Sequence, residues 1–256
     1  MGHREDHIMQ LHLIIQEAAK IAPEKPAVIC GDDKLSYRQL TEMMDIGAGK
    51  LMALGVNRGD RVGLLMHNGL NLVQFYCACF RLGAIAVPFN TRYQKPELLY
   101  ALNQSGSSIL IAEREFAPLI QNINEAAPEL AGIHVVDHTL ERIFPTTEPR
   151  ADSSKIKKFP EGDISDPAII IYTSGSTGKP KGVVHTHYSL SQHILNKTKT
   201  MEIGPDDVGL AGTQISHIGG FAGVLLPVLA NGGTCVMLKE FDPGLYIEYT
   251  TKFKPT

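Results

Sequence analysis

Ten residues carry most of the chemistry this chain displays. Thr173-Ser174-Gly175-Ser176-Thr177-Gly178-Lys179-Pro180-Lys181-Gly182 holds four hydroxyls, three glycines and two ammonium groups. Pro180 aside, no apolar side chain follows Tyr172 until Val183, so core packing cannot hold the segment. Glycines let consecutive N–H groups point into one concavity, which is a nest for an anion. Thr173, Ser174, Ser176 and Thr177 add hydroxyl donors, Lys179 and Lys181 add charge at alternate positions, and Pro180 limits the chain between them. The ligand such a loop predicts is a polyphosphate. Its expected contacts are Thr173, Ser174, Gly175, Ser176, Thr177, Gly178, Lys179 and Lys181, and the alternative is a polar surface loop that happens to be glycine-rich. Two other phosphate motifs fail on spacing. Five residues after Gly175 stands Pro180, where a Gly-x-x-x-x-Gly-Lys-Ser/Thr motif needs glycine, and Gly-x-Gly-x-x-Gly is absent here.

Other reactive side chains offer less. His217 follows an apolar segment and precedes Gly219, Gly220 and a helical pattern, and loops at strand ends of that kind line ligand crevices in open α/β sheets. The alternative for His217 is a hydrogen-bonded structural histidine. His185 and His187 would share one face of a strand, but no nearby carboxylate or cysteine completes a metal site, so no metal ligands are assigned. Ser174 is not a hydrolase nucleophile: the elbow motif needs glycine two residues earlier, and position 172 is tyrosine.

The elements that must position these groups alternate along the chain. Ile169-Ile170-Ile171-Tyr172 is a β-branched run ahead of the loop and reads as a buried strand. Earlier, helical spacing covers Ile8 to Ile21. Ala27-Val28-Ile29-Cys30 reads as a strand, and Ser36 with Gln39 forms a capping box for a helix ending near Gly55. Strand patterns at 61–66, 84–87, 109–111 and 133–136 alternate with helical patterns at 72–82, 96–103 and 116–127. After the loop come a short strand at 183–185, a helix at 189–200, a strand at 208–211, a helix at 221–230, a strand at 234–238 and a helix at 245–253. Repeated strand–helix–strand order implies an α/β fold of mainly parallel sheet with flanking helices. Residues 137–167, rich in Pro, Asp, Glu, Ser and Lys, read as a surface connection. They divide the chain into two stacked subdomains, 1–165 and 166–256, the second opening with the phosphate loop. The Lys155, Lys157, Lys158 cluster inside the connection reads as a solvated face.

Composition narrows the class. With 256 residues, 43% hydrophobic and 20% charged, the chain has the make-up of a soluble globular protein. A net charge of −3 gives no reason to expect nucleic acid or an anionic membrane as partner. No run approaches the roughly 20 apolar residues of a membrane span. Met1 to Gln10 is too polar for a secretory signal. Four scattered cysteines suggest reduced thiols in the cytoplasm rather than a disulfide framework.

Tyr-Thr-Ser-Gly-Ser-Thr-Gly-Lys-Pro-Lys-Gly, at 172–182, resembles over eleven contiguous residues the phosphate-binding signature of the adenylate-forming enzymes. These are the acyl-CoA synthetases, peptide-synthetase adenylation domains and firefly-type luciferases. Leu35-Ser36-Tyr37-Arg38-Gln39-Leu40 and Arg81-Leu82-Gly83-Ala84-Ile85-Ala86-Val87-Pro88-Phe89-Asn90 resemble two further family elements. Asn90-Thr91-Arg92 with Glu97-Leu98 is more similar to acyl-CoA synthetases than to the others. The resemblance runs from about Leu11 to Pro255. It implies ATP, Mg²⁺ and CoA as reaction partners, a small carboxylic acid as substrate, and an acyl pocket lined by His217, Gly219 and Gly220. A homo-oligomer is left open.

The family's later motifs, Tyr-Gly-x-Thr-Glu and Thr-Gly-Asp, and the lysine of its C-terminal domain do not occur here. The expectation is therefore an N-terminal portion without the C-terminal domain. It carries no assigned catalytic residue and is inactive alone. A non-catalytic phosphate- or nucleotide-binding module, a luciferase-like oxygenase and an amino-acid-adenylating domain are the competing readings.

Overall fold

The computed structural model describes residues 8–137, 159, 161–173 and 179–256. The first helix, α1 (Leu11–Ile21), leads into the hairpin β1 (Pro26–Cys30) and β2 (Asp33–Ser36). Next come α2 (Tyr37–Ala53), β3 (Arg61–Leu65), α3 (Leu70–Leu82), β4 (Ile85–Pro88), α4 (Lys95–Ser105) and β5 (Ser107–Glu113). The α2 cap is the predicted one: Ser36 Oγ accepts from the Gln39 N–H at 3.2 Å, and the Ser36 N–H donates to Gln39 Oε1 at 2.9 Å. Residues 114–126 form short helical turns rather than the single helix expected over 116–127. Asn122 sits at φ 57, a left-handed conformation that ends one turn before the next begins.

β6 (Gly132–Val136) follows, then β7 (Pro167–Thr173), β8 (Lys181–Thr186), α5 (His187–Met201) and β9 (Val208–Ala211). The helix α6 starts as an α-turn at Ile218–Gly220, widens to a π segment at Phe221–Leu225 and closes as α-helix at Leu226–Ala230. β10 (Thr234–Met237) and α7 (Pro243–Phe253) complete the described chain. Most of the connection expected at 137–167, including Lys155, Lys157 and Lys158, lies outside the described residues, as does Ser174–Gly178 of the phosphate loop.

Two sheets form. One has the strand order β6-β5-β3-β4-β7-β8 and is parallel except for β8, which runs antiparallel to β7. The other has the order β2-β1-β10-β9, parallel except for the β1–β2 hairpin. The sheets do not part at 165/166. β7 pairs with β4, which precedes it by some 80 residues, and β1 pairs with β10, with Val28 opposite Cys235. Crossover connections let sequence-distant strands become neighbours, so burial chooses the partners and chain order does not.

α3 joins the two layers. Twelve of its thirteen residues are buried, and it contacts β1 and β2 of one sheet and β3 and β4 of the other. A helix buried almost all round has no solvent face to offer, which suits an interior layer. β7 is likewise covered on both sides. Ile169 and Ile171 join the large core with α3, while Ile170 and Tyr172 join a second core with Phe89, Leu98 and Leu102. That double burial is why the strand is a continuous apolar run instead of an alternating one.

Candidate functional site

In parallel sheets the C-terminal strand ends lie on one edge, and here the segments after β3, β4 and β5 meet the loops that follow β9 and β10. Asn68, three residues past β3, holds the two sets together. Its amide donates to Thr213 O at 3.1 Å and to Leu238 O at 3.0 Å, and its carbonyl accepts from the Ile215 N–H at 2.8 Å. Tyr76 of α3 donates to Ile215 O at 2.9 Å. Gln214 reaches across to Thr91, after β4, at 2.9 Å. The 212–217 loop is thus fastened to both sheets by side chains from three separate segments.

His217 is the N-cap residue of α6; its N–H donates to Gln214 O at 3.1 Å, and its carbonyl accepts from Phe221 N at 2.9 Å. The imidazole is half-buried. Burial first, and then the nearby Arg92 guanidinium, hold its pKa below the ordinary histidine value, which favours the neutral ring. Gly220 is sterically required: a Cβ there would lie 2.5 Å from the Gln214 carbonyl oxygen. Gly219 differs, being exposed with open space where a Cβ would stand. The three predicted residues therefore sit at one helix start beside Arg92 and Thr91, with distinct surroundings.

β7 and β8 form the base of the phosphate loop. Tyr172 pairs with Gly182 and Thr173 with Lys181, so the loop is a hairpin connection rather than a strand-to-helix turn. Its base is well anchored. The Tyr172 hydroxyl donates to Ala101 O of α4 at 2.9 Å, and burial pushes its pKa up to about 12. Gly182 is needed where it stands, because a Cβ would approach the Ile170 side chain to 2.9 Å. At the mouth, Thr173 and Lys181 are exposed on facing strands, and Thr173 Oγ1 donates to Lys181 O at 3.4 Å. Lys179 turns toward α4, its ammonium 5.7 Å from the Tyr100 ring centre. β7 and β8 thus give the loop an anchored base, with Thr173 and Lys181 exposed at its rim.

Sequence reasoning missed Asn68. It is a lone polar residue after a buried strand, and nothing in its neighbours announces that it bonds groups some 145 and 170 residues away.

Two mainly parallel sheets with a glycine- and hydroxyl-rich connection after a buried strand define an α/β protein. Residues 15–256 match the AMP-binding enzyme family, and the chain belongs to it. It is 34% identical over 226 residues to a feruloyl-CoA synthase of Amycolatopsis, covering 88% of this chain and 43% of that enzyme. It is 31% identical over 234 residues to a long-chain-fatty-acid–CoA ligase of Mycobacterium tuberculosis, covering 90% of this chain and 45% of the ligase. Among solved structures, the N-terminal domain of FACL13 from Mycobacterium tuberculosis superposes with a TM-score of 0.85 at 27% identity, covering 96% of this chain and 61% of that one. The chain spans less than half the length of the curated relatives it matches.

Proposed function

We propose that this chain forms the phosphate-gripping and acid-facing part of an AMP-forming acid–CoA ligase. The reaction assigned to the full-length enzyme is attack of a carboxylate on the α-phosphorus of ATP, giving acyl-AMP and pyrophosphate, followed by displacement of AMP by the thiol of CoA. The observation that carries the reading is the β7–β8 hairpin, with Thr173 and Lys181 exposed across from each other at the mouth of a loop of glycines and hydroxyls.

Negative charge builds on the departing pyrophosphate, so catalysis in such a transfer comes chiefly from positioning and charge neutralisation. In this reading the Thr173 and Ser174 hydroxyls and the Lys181 ammonium bind the β- and γ-phosphates, with the backbone N–H groups of 174–178 as further donors. Mg²⁺ supplies additional neutralisation when bound with ATP. His217, Gly219 and Gly220 face the acid, and the neutral imidazole of His217 hydrogen-bonds the carboxylate without trapping it in an ion pair. The closely packed turn at Gly220 brings the start of α6 near the substrate. All four cysteines are free, three of them buried, which suits a reducing compartment such as the cytoplasm.

The named relatives that act on CoA favour this reading over a luciferase-like or amino-acid-adenylating one. ATP–pyrophosphate exchange by the full-length enzyme tests the first step, and transfer to CoA tests the second. Acid-dependent exchange followed by thioester formation is the expected result. ATP binding without exchange would instead establish a non-catalytic nucleotide-binding module.

A further inference from the structure

We propose that His193 is a positioning residue for the acid: its imidazole holds α6 in the widened turn that aims His217 and Gly220, an inference that rests on the reading of this helix start as acid-facing. The widening originates at Pro227. A proline has no N–H, and its ring crowds the carbonyl four residues back, here that of Gly223. At the helix start the Phe221 N–H still donates to His217 O, four residues back, at 2.9 Å. By Leu226 the frame has changed, and its N–H donates to Phe221 O, five residues back.

The change of frame strands one carbonyl. Ala222 O would be reached by Leu226 in an α-helix and by residue 227 in a π-helix. Leu226 is already committed to Phe221, and position 227 is the proline. Ala222 is only 3% exposed, so its carbonyl needs a donor from the protein. His193 of α5 supplies it, with Nε2 at 3.0 Å from Ala222 O. A carbonyl only accepts, so Nε2 carries the proton in this pair.

That bond fixes a rotation. The C-terminal half of α6 is anchored independently: Leu226 and Leu229 lie in the large core, and the Asn231 amide donates to Thr198 Oγ1 of α5 at 2.7 Å and to Pro227 O at 2.8 Å. β9 also packs tightly on this helix, for a Cβ on Gly209 would stand 2.6 Å from the Val228 side chain and 3.0 Å from that of Val224. One extra residue in a turn rotates what precedes it by about 100° relative to an unbroken α-helix. With the later half held by the core, α5 and β9, the π turn decides which way His217 and Gly220 face. Single π turns occur often at functional sites, and here one sits between the anchored half of a helix and its site-facing start.

The test compares His193→Leu, which has no donor, with His193→Gln, which keeps one. His193 is exposed on α5, so both variants retain the core, and thermal unfolding checks this. In the full-length enzyme, His193→Leu should speed amide hydrogen exchange in residues 221–226 by about threefold or more and raise the KM for the acid in ATP–pyrophosphate exchange by a similar factor. The KM for ATP should stay unchanged, and His193→Gln should restore both quantities. Wild-type amide protection in His193→Leu, or equal rises in the two KM values, would overturn the proposal. A His193→Gln variant as impaired as His193→Leu would also overturn it, because the effect would then belong to ring packing. Acid-dependent exchange by the wild type with an unaltered acid KM in His193→Leu would overturn this proposal alone, whereas no acid-dependent exchange by the wild type would overturn the ligase reading and this one with it.

Discussion

The carbonyl of Asn68 accepts the backbone N–H of Ile215 at 2.8 Å, joining the loop after β3 to the loop after β9 across 147 residues of sequence. With its amide on Thr213 O and Leu238 O, this one buried side chain satisfies three backbone groups. Asn68→Ala would leave all three to find other partners, at a cost of about 1–3 kcal/mol for a group left buried and unpaired. We expect a total loss of ~3 kcal/mol, seen as a lower urea midpoint with an unchanged m value. A midpoint within error of wild type would show that the loop is held by other means.

Gly220 and Gly219 are adjacent, yet alanine should separate them. At Gly220 a Cβ meets the backbone of Gln214 at 2.5 Å, and backbone yields little, so Gly220→Ala should destabilise the protein by roughly 2 kcal/mol and displace the His217 loop. At Gly219 nothing stands within 4 Å, so Gly219→Ala should be neutral or mildly stabilising, as alanine is the better helix former by about 1 kcal/mol. Thermal unfolding of the two variants reads the difference directly.

Lys181 and Lys179 should also part company. Lys181 is held in register across from Thr173, while Lys179 rests over Tyr100. A charge-assisted hydrogen bond contributes about 1.5–3 kcal/mol. Lys181→Ala in the full-length enzyme should therefore slow ATP–pyrophosphate exchange by about 10- to 150-fold. Lys179→Ala should cost less, and the reverse ranking would give Lys179 the principal phosphate contact.

Two buried histidines set an acid limit. His12 and His187 are each driven down to a pKa of about 4, chiefly by burial; Arg81 and then His187 add to the effect on His12, and Asp166 opposes it at His187. Leu11 N–H donates to His187 Nδ1 at 3.3 Å, a bond that needs the neutral ring. In the unfolded chain both rings bind protons near pH 6.5, whereas in the folded chain they do so only near 4. Their contribution is complete above about pH 6.5 and is lost as pH falls toward 4, with a slope approaching about 2.7 kcal/mol per pH unit for two protons. Urea unfolding at pH 7 and pH 5 should show the loss, and His12→Leu should roughly halve the slope. A pH-independent midpoint would mean that the rings titrate normally in the folded state.

Local order was legible because it follows from local physics. The β-branched run 169–171 must be a strand, and Ser36 with Gln39 must cap a helix. The eleven residues at 172–182 were enough to point to the family that residues 15–256 match. Tertiary structure alone decided the partners. The hydrophobic effect is non-directional, so β1 could satisfy Val28 against any apolar strand, and only the closed fold selects Cys235 of β10. The same holds for polar groups. Asn68 meets Ile215 because crossovers return the strand ends to one edge, a relationship that has no period along the chain.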